Sequence, residues 1–532
     1  MRKIVLLFFF IITCADLSAQ NYYLRSLDLD TGLNNSLSPY FNKITKECVM
    51  ISSSLLLDTG DTYNKIVFKN HFTKFDTYNN KILDSSFILN NSSIRVRGTI
   101  KLLQGGYLGF GLYYDSKSLR NKTAGIPGCI IRYNENGDTV FIKKYPYRKD
   151  ISDISSLLQT KDSSIIMVSL LSDTNGSFSV YNALRVIKLN PDFTTSWDSL
   201  YYLGYKADVN TPRTAGYFNA ITKTLDNGFL IGTSKIVSNA DTMYYSLVFK
   251  IDSNGRFLWE KTFYGNENEY SGINKIINLR DGNYLLVGSY NSYYHVDPKI
   301  QEHVIVIKMN GQGQVIWKKL ISVLAYQFVT DVDEFSNGNI LLAGQSDILN
   351  INIGYKPQAA LICLNNKGNV LWSRQYEVPS NKAYGQIDDV NFSEVEIATD
   401  KSILAFGNIF AFDSTFPYNN GWNQDFLFLH ADSLGCIMPG TCPFTEIEQT
   451  PVEPNYFYAY PNPTSSTISF KSNLTQTSAI QIKIINALGQ VVLQKIFSDF
   501  NESIDVSDFA KGIYFVELKA DNFVGTQKVV VE

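Results

Sequence analysis

The chain is 532 residues long, more than one ordinary core holds, and its 45% hydrophobic and 18% charged residues make it globular rather than disordered. Its 47 Lys+Arg against 50 Asp+Glu leave a formal net charge of -3 with no basic block, which argues against nucleic acid as a partner. Aromatic residues, 14% of the chain and mostly Tyr and Phe, alternate with polar ones as in half-buried strands.

The chain opens with "MRKIVLLFFFIITCADLSAQ". Two basic residues, an apolar run from Ile4 to Ile12 and a small residue at Ala19 predict a secretory signal peptide over 1–19. Cleavage is expected after Ala19. The alternative, lipidation at Cys14, places the bulky Thr13 just before the cysteine.

From residue 20 onward an apolar run ending in a small residue recurs, closing at Ser52, Gly111, Ser169, Gly232, Gly288, Gly344 and Gly407. Turn signals such as "LDNG", "RDGN" and "SNGN" precede many of these runs, and a second apolar run follows. An Asx/Gly turn and one more strand close most units, with Trp197, Trp259, Trp317 and Trp372 in that last strand. Four short antiparallel strands per unit, repeated in series, predict an all-β protein: a β-propeller over 20–442. Seven blades fit the count, with six or eight as the neighbouring solutions. The turns "DSNG", "NGQG" and "NNKG" are expected to be hairpin connections and not ion sites, because loop-type calcium sites need several spaced carboxylates. The seventh unit lacks a fourth strand, and the unassigned segment 21–29 is expected to supply it, pairing with 426–430 and closing the ring.

Cys48, Cys129 and Cys363 lie in apolar runs and read as buried small hydrophobes. Cys436 and Cys442 bracket "IMPGT" and are expected to form a short-loop disulfide. Residues 443–457 hold three prolines and no periodicity and read as a linker. Beyond it, 458–532 carries short alternating strands and hairpin turns, which predicts a small Ig-like β-sandwich.

Four stretches of that tail occur together: "YPNPTSSTISF", "IINALGQVV", "GIYFVEL" and "QKVVV". In this order they resemble the type A C-terminal sorting domain of the type IX secretion system. The positions carrying the likeness are Tyr460, Pro461, Asn462, Pro463, Gly489, Gly512, Tyr514 and Lys528. The resemblance implies export through the periplasm to the cell surface or medium, with the translocon and a sortase-like protease as partners.

No catalytic motif stands out, and neither a cofactor nor a metal is expected. His71, His295, His303 and His430 are scattered, and His295, His303 and Asp297 share one unpatterned loop. The connections between second and third strands are read as long, over 112–128, 233–246, 289–303, 345–359 and 408–425. They carry Tyr113, Tyr114, Tyr244, Tyr245, Tyr293, Tyr294 and Trp422, rings suited to a glycan or protein ligand. Two functions therefore stand side by side: a secreted, non-catalytic binding or adhesion propeller, and a propeller enzyme acting on glycans as hydrolase or lyase.

Overall fold

The computed structural model describes residues 23–27, 33–35, 39–58, 65–76, 80–89, 92–115, 126–146, 151–172, 181–202, 220–236, 244–263, 269–292, 303–321, 325–350, 354–377, 387–412, 422–437, 457–472, 480–487, 489–497, 502–520 and 523–532. Among them there is no helix. Contacts divide the chain into two compact units, Met1–Glu446 and Ile447–Glu532. The expected signal peptide and nearly all of the expected linker lie outside the described residues.

The first unit consists of antiparallel sheets in series. After β1 (Tyr23–Leu27), the first sheet holds β2 (Leu33–Asn35), β3 (Tyr40–Phe41), β4 (Cys48–Asp58), β5 (Lys65–Phe75) and β6 (Lys81–Ile88). The second holds β7 (Ser92–Lys101), β8 (Tyr107–Asp115), β9 (Gly128–Tyr133) and β10 (Thr139–Tyr145). The third holds β11 (Ile151–Gln159), β12 (Ile165–Ser172), β13 (Tyr181–Leu189) and β14 (Thr195–Tyr202). The fourth holds β15 (Ala220–Lys223), β16 (Phe229–Ile236), β17 (Tyr244–Ile251) and β18 (Phe257–Phe263). The fifth holds β19 (Glu269–Asn278), β20 (Tyr284–Ser292), β21 (His303–Met309) and β22 (Val315–Ile321). The sixth holds β23 (Ala325–Glu334), β24 (Ile340–Asn350), β25 (Gly354–Leu364) and β26 (Val370–Tyr376). The seventh holds β27 (Ile387–Ile397), β28 (Ile403–Phe412), β29 (Trp422–Ala431) and, as its outer strand, β1. Tyr23 to Leu27 pair antiparallel with His430 to Phe426, so the N-terminal segment completes the last sheet.

The apolar runs are continuous because each middle strand is covered on both faces. Ile166 and Val168 of β12 pack towards the fourth sheet, whereas Ile165 and Met167 pack towards the second. The same division repeats around the unit. The last apolar cluster joins Cys48, Met50 and Phe75 of the first sheet to Leu404, Phe406, Phe426 and Phe428 of the seventh. The succession therefore closes on itself in the manner of a propeller.

The recurring small residue has a local cause. A β-bulge interrupts the first strand of five sheets opposite that position, for example between Ile273 and Lys275, Val329 and Asp331, and Phe392 and Glu394. The bulge pushes a first-strand carbonyl into the space of a side chain. A Cβ at Gly288, Gly344 or Gly407 would collide with the carbonyl oxygen of Gly272, Phe328 or Asn391.

The outer turns are scaffold. In "DSNG" the Asp252 carboxylate accepts the amides of Asn254 (2.8 Å) and Arg256 (2.9 Å). Asn310, Asn365 and Asp432 do the same in their own turns. The side-chain oxygens are thus committed to the turn. The glycine that follows, at φ 77° in Gly255 and 81° in Gly313, lies against the tryptophan of the preceding sheet. Trp197 meets Gly255, Trp259 meets Gly313, Trp317 meets Gly368 and Trp372 meets Gly435.

The second unit holds two antiparallel sheets. One contains β30 (Phe457–Tyr460), β31 (Thr467–Ser472) and β34 (Ser503–Asp505). The other contains β32 (Ile480–Asn486), β33 (Val491–Phe497), β35 (Gly512–Ala520) and β36 (Phe523–Val531). Ile468, Phe470, Ile482, Ile484, Val516 and Leu518 form their shared core.

Candidate functional site

The ring tyrosines stand in strands rather than in loops, because the strands run past the small residue that marked their expected end. Tyr113 and Tyr114 belong to β8, where they pair with Ile94 and Ser93 of β7. Tyr244 and Tyr245 open β17, and Trp422 opens β29. Tyr293 and Tyr294 lie outside the described residues, as do His295 and Asp297. One expected long connection is corrected outright. Over 345–359 the strands β24 and β25 stay paired up to Asn350 and Gly354, leaving only 351–353 between them.

Two of the tyrosines are engaged with cations. The Lys144 ammonium stands 3.5 Å from the centre of the Tyr113 ring. Tyr114 is half-buried, and burial raises its phenol pKa; its hydroxyl is hydrogen-bonded to Arg95. The ring of Tyr113 also packs on the cluster between the first and second sheets.

The charged groups that converge lie elsewhere, on the first strands of the sheets. Lys275 of β19 reaches Asp331 of β23 at 2.6 Å and Glu394 of β27 at 3.5 Å. Lys43, from the first sheet, reaches Asp333 of β23 at 2.9 Å and also pairs with Glu396 of β27. Lys275 thus spans from the fifth sheet to the seventh, and Lys43 from the first to the sixth. Contacts that skip a sheet occur only where the sheets converge, so these strands are innermost. The acids also accept amides from the neighbouring strand: Val395 donates to Asp331 (2.8 Å) and Ile397 to Asp333 (2.9 Å). Burial and then the nearby Asp333 push the Glu396 carboxyl up to about 8, while Lys43 opposes the shift. Lys275 is held protonated: burial works against its charge, and Asp331 and Glu394 outweigh that burial.

On the opposite flank of this wall, Arg97 of β7 grips the buried Asp153 of β11 through Nη2 (2.6 Å) and Nε (3.4 Å). Arg95 stands beside it. None of these innermost residues was singled out from the sequence. A signal existed: Lys275, Asp331 and Glu394 each stand thirteen residues before a recurring glycine, at 288, 344 and 407.

The histidines are separate. His71 is buried on β5, its Nδ1 3.9 Å from Asp84. His430 is buried on β29, 3.5 Å from the Lys46 ammonium. Among the described residues no group of three His, Cys, Asp or Glu is placed to hold a metal ion. Cys48, Cys129 and Cys363 are free and buried. Cys436 is disulfide-bonded, and Cys442 lies outside the described residues.

In the second unit, Asn462 bridges to the last strand. Its amide nitrogen donates to the Lys528 carbonyl (2.7 Å), and its amide oxygen accepts from the Val530 nitrogen (2.9 Å). Tyr460, Pro461, Pro463 and Lys528 are exposed. Tyr514 is buried and donates its hydroxyl to the Ala510 carbonyl (2.8 Å). Gly489 supplies the positive φ (80°) of the "NALGQ" turn.

Comparison with known families gives a match over residues 458–532 to the secretion system C-terminal sorting domain. No curated protein matches the sequence. Among solved structures, a polysaccharide lyase of family PL25, an ulvan lyase, is similar at 8% identity over 78% of this chain and 97% of its own, with a TM-score of 0.47. A protein of unknown function from Dyadobacter fermentans is similar at 9% identity over 63% of this chain and 93% of its own, with a TM-score of 0.41. The polysaccharide lyase Uly1 is similar at 8% identity over 75% of this chain and 90% of its own, with a TM-score of 0.40. The C-terminal domain is a type IX secretion sorting domain, so the chain is exported to the cell surface or beyond and engages that secretion machinery.

Proposed function

We propose that this exported chain is a non-catalytic binding protein: a seven-bladed β-propeller that presents a ligand surface, followed by an Ig-like sandwich that serves as its export address. The division at 443–457, the signal peptide over 1–19, the Cys436–Cys442 disulfide and removal of the tail by a sortase-like protease belong to the same reading. The ligand surface is the end of the ring that carries Tyr113, Tyr114, Tyr244, Tyr245, Tyr293, Tyr294 and Trp422.

The observation that carries the non-catalytic reading is the state of the converging acids. Asp331, Asp333 and Glu394 are each ion-paired with Lys275 or Lys43, and Glu396 lies against the Lys43 ammonium. Asp331 and Asp333 also hold amides of the next strand. Such groups fix one sheet against another, and moving a proton on or off them breaks a structural pair. One observation favours the enzyme: a carboxyl at about 8, as in Glu396, is protonated at neutral pH and could act as a general acid. A single experiment separates the two. The full chain is screened against neutral and acidic polysaccharides for both binding and product release. Binding without turnover is the expected result. Turnover that disappears in Glu396→Gln would overturn the proposal.

A further inference from the structure

The four-stranded sheet of the second unit has two unlike halves on its outer face. Strand alternation turns Ile484, Tyr514, Val516 and Val529 into the core, so the residues between them face outward. One half is polar: Lys483 of β32 pairs with Glu517 of β35 at 3.3 Å, and Gln494 of β33 lies opposite Lys483. The other half is apolar. There Val491 opposes Ile485, Ile485 opposes Phe515, and Phe515 opposes Lys528, in one row across all four strands. Ile513 opposes Val530 in the next outward row. Val491, Ile513 and Phe515 are exposed, and so is Lys528.

The four stretches that carry the likeness to a sorting domain meet at this apolar half. Ile485 and Val491 belong to "IINALGQVV", Ile513 and Phe515 to "GIYFVEL", and Lys528 and Val530 to "QKVVV". "YPNP" runs along its border, because Asn462 is bonded to the Lys528 carbonyl and the Val530 nitrogen. Packing explains the inward residues of these stretches, Tyr514 and Val516 among them. It does not explain the outward ones, which add nothing to the core and leave an apolar patch in water.

We propose that this patch, centred on Phe515, is the surface by which the domain docks on a protein of the secretion machinery. The inference rests on the export role of the domain given above and adds where the domain is read. A specific protein interface has an apolar centre and a polar rim, and here Lys528 and the Lys483–Glu517 pair supply the rim. Lys528 is the cross-strand neighbour of Phe515, so a partner that covers Phe515 also meets the ammonium. The partner surface is therefore apolar, with a carboxylate set opposite Lys528. A second copy of the chain fits less well, because a two-fold contact centred on Phe515 would bring two Lys528 ammoniums close together.

The test follows the full chain in its own bacterium and measures the share that reaches the surface or medium against the share held in the periplasm. Phe515→Asp and Val491→Asp should each lower the exported share at least tenfold, with the chain accumulating in the periplasm. Both positions are exposed, and unchanged thermal unfolding of the purified variants shows that they are folded. Lys528→Glu, which touches no core residue, should cost at least threefold more export than Lys528→Gln. Ile496→Asp is the control: Ile496 is an exposed apolar residue opposite Gln481 at the polar end of the same face, and its loss should change export less than twofold. Deletion of 458–532 tests the export role separately. If the deletion is retained while Phe515→Asp and Val491→Asp are exported normally, the patch is overturned and the export address stands. Normal export of the deletion would overturn the address itself. An equal loss in Ile496→Asp would overturn the placement of the surface. A purified chain that is dimeric, and monomeric as Phe515→Asp with export intact, would assign the patch to a second copy and overturn the proposal.

Discussion

The perimeter of the first unit and its innermost wall join the same sheets in two different ways. At the perimeter one joint is copied: a tryptophan of one sheet lies on the turn glycine of the next, four times over. Where Phe141 replaces the tryptophan, Phe193 replaces the glycine at a φ of 66°, and the two rings meet edge to face at 5.0 Å. The turn carbonyl is bonded as well, from Trp197 to Ser253 (3.0 Å) and from Tyr376 to Gly435 (2.8 Å). On the inner wall the charged joints differ from sheet to sheet, while one neutral joint recurs, Asn274 and Thr330 each donating to a carbonyl of the next first strand. The second and third sheets are joined by Arg97 and Asp153, the fifth and sixth by Lys275 and Asp331, with Asn274 donating to the Val329 carbonyl. The sixth and seventh are joined by Thr330 donating to the Phe392 carbonyl. A packing joint is copied because one shape solves one problem. The charged pairs of the inner wall differ because each is set by the residue types that two particular sheets bring together.

The largest effect is expected on the inner wall. Asp331 accepts the Val395 amide and the Lys275 ammonium, and it is almost fully buried. Asp331→Ala orphans the amide and leaves Lys275 with the longer Glu394 contact, which should cost about 3 kcal/mol in denaturant unfolding of the full chain. Asp331→Asn keeps an acceptor and should cost about half as much. Equal losses would mean that the charge of Asp331 contributes nothing.

A smaller and more divisible effect belongs to the perimeter. Gly313 and Gly282 both sit at positive φ, 81° and 82°. A Cβ on Gly313 would stand 3.0 Å from the Trp259 ring, whereas one on Gly282 meets nothing within 4 Å. Gly282→Ala should therefore show only the backbone cost, about 1 kcal/mol, and Gly313→Ala about 2 kcal/mol. The difference measures the joint. If the two variants lose the same stability, the tryptophan is a bystander and the perimeter is held by strand pairing alone.

This contrast explains what could be read in advance. The repeat, the hairpin turns and the latch by the N-terminal strand were legible because period, Asx/Gly pairs and a missing fourth strand are local patterns. The tail was legible from four motifs, and Asn462 shows why such a residue is specific: it substitutes for a strand on Lys528 and Val530. The strand positions of Tyr113 and Tyr114 were missed because polar and aromatic residues end an apolar run in sequence without ending a strand. The inner wall was missed because the bulge shifts the alternation by one residue. After it, Lys275, Asp331 and Glu394 share a register that no two-residue period displays.

A pH profile tests whether the inner wall titrates as one unit. Glu396 of β27 faces Asp333 of β23, Lys43 of the first sheet and Glu394 of its own strand. Its carboxyl, near 4.5 in an unfolded chain, rises to about 8 in the fold. Between those values the folded chain keeps a proton that the unfolded chain has lost, so stability falls as pH rises through this window. Asp400, held at about 2 because Lys46 and Ser402 outweigh its burial, has the opposite sign, and its contribution is lost only in acid, as pH falls from 3.8. Between pH 5 and 8 the Glu396 slope therefore stands clear of Asp400. Glu396→Gln removes the titration and keeps the shape. Its melting temperature should match the wild type near pH 5 and exceed it at pH 8, by an amount of up to about 3 kcal/mol in stability. Parallel profiles across that range would show that Lys43 already holds Glu396 ionised and that the inner wall is a set of fixed pairs, as constant with pH as the tryptophan joints at the perimeter.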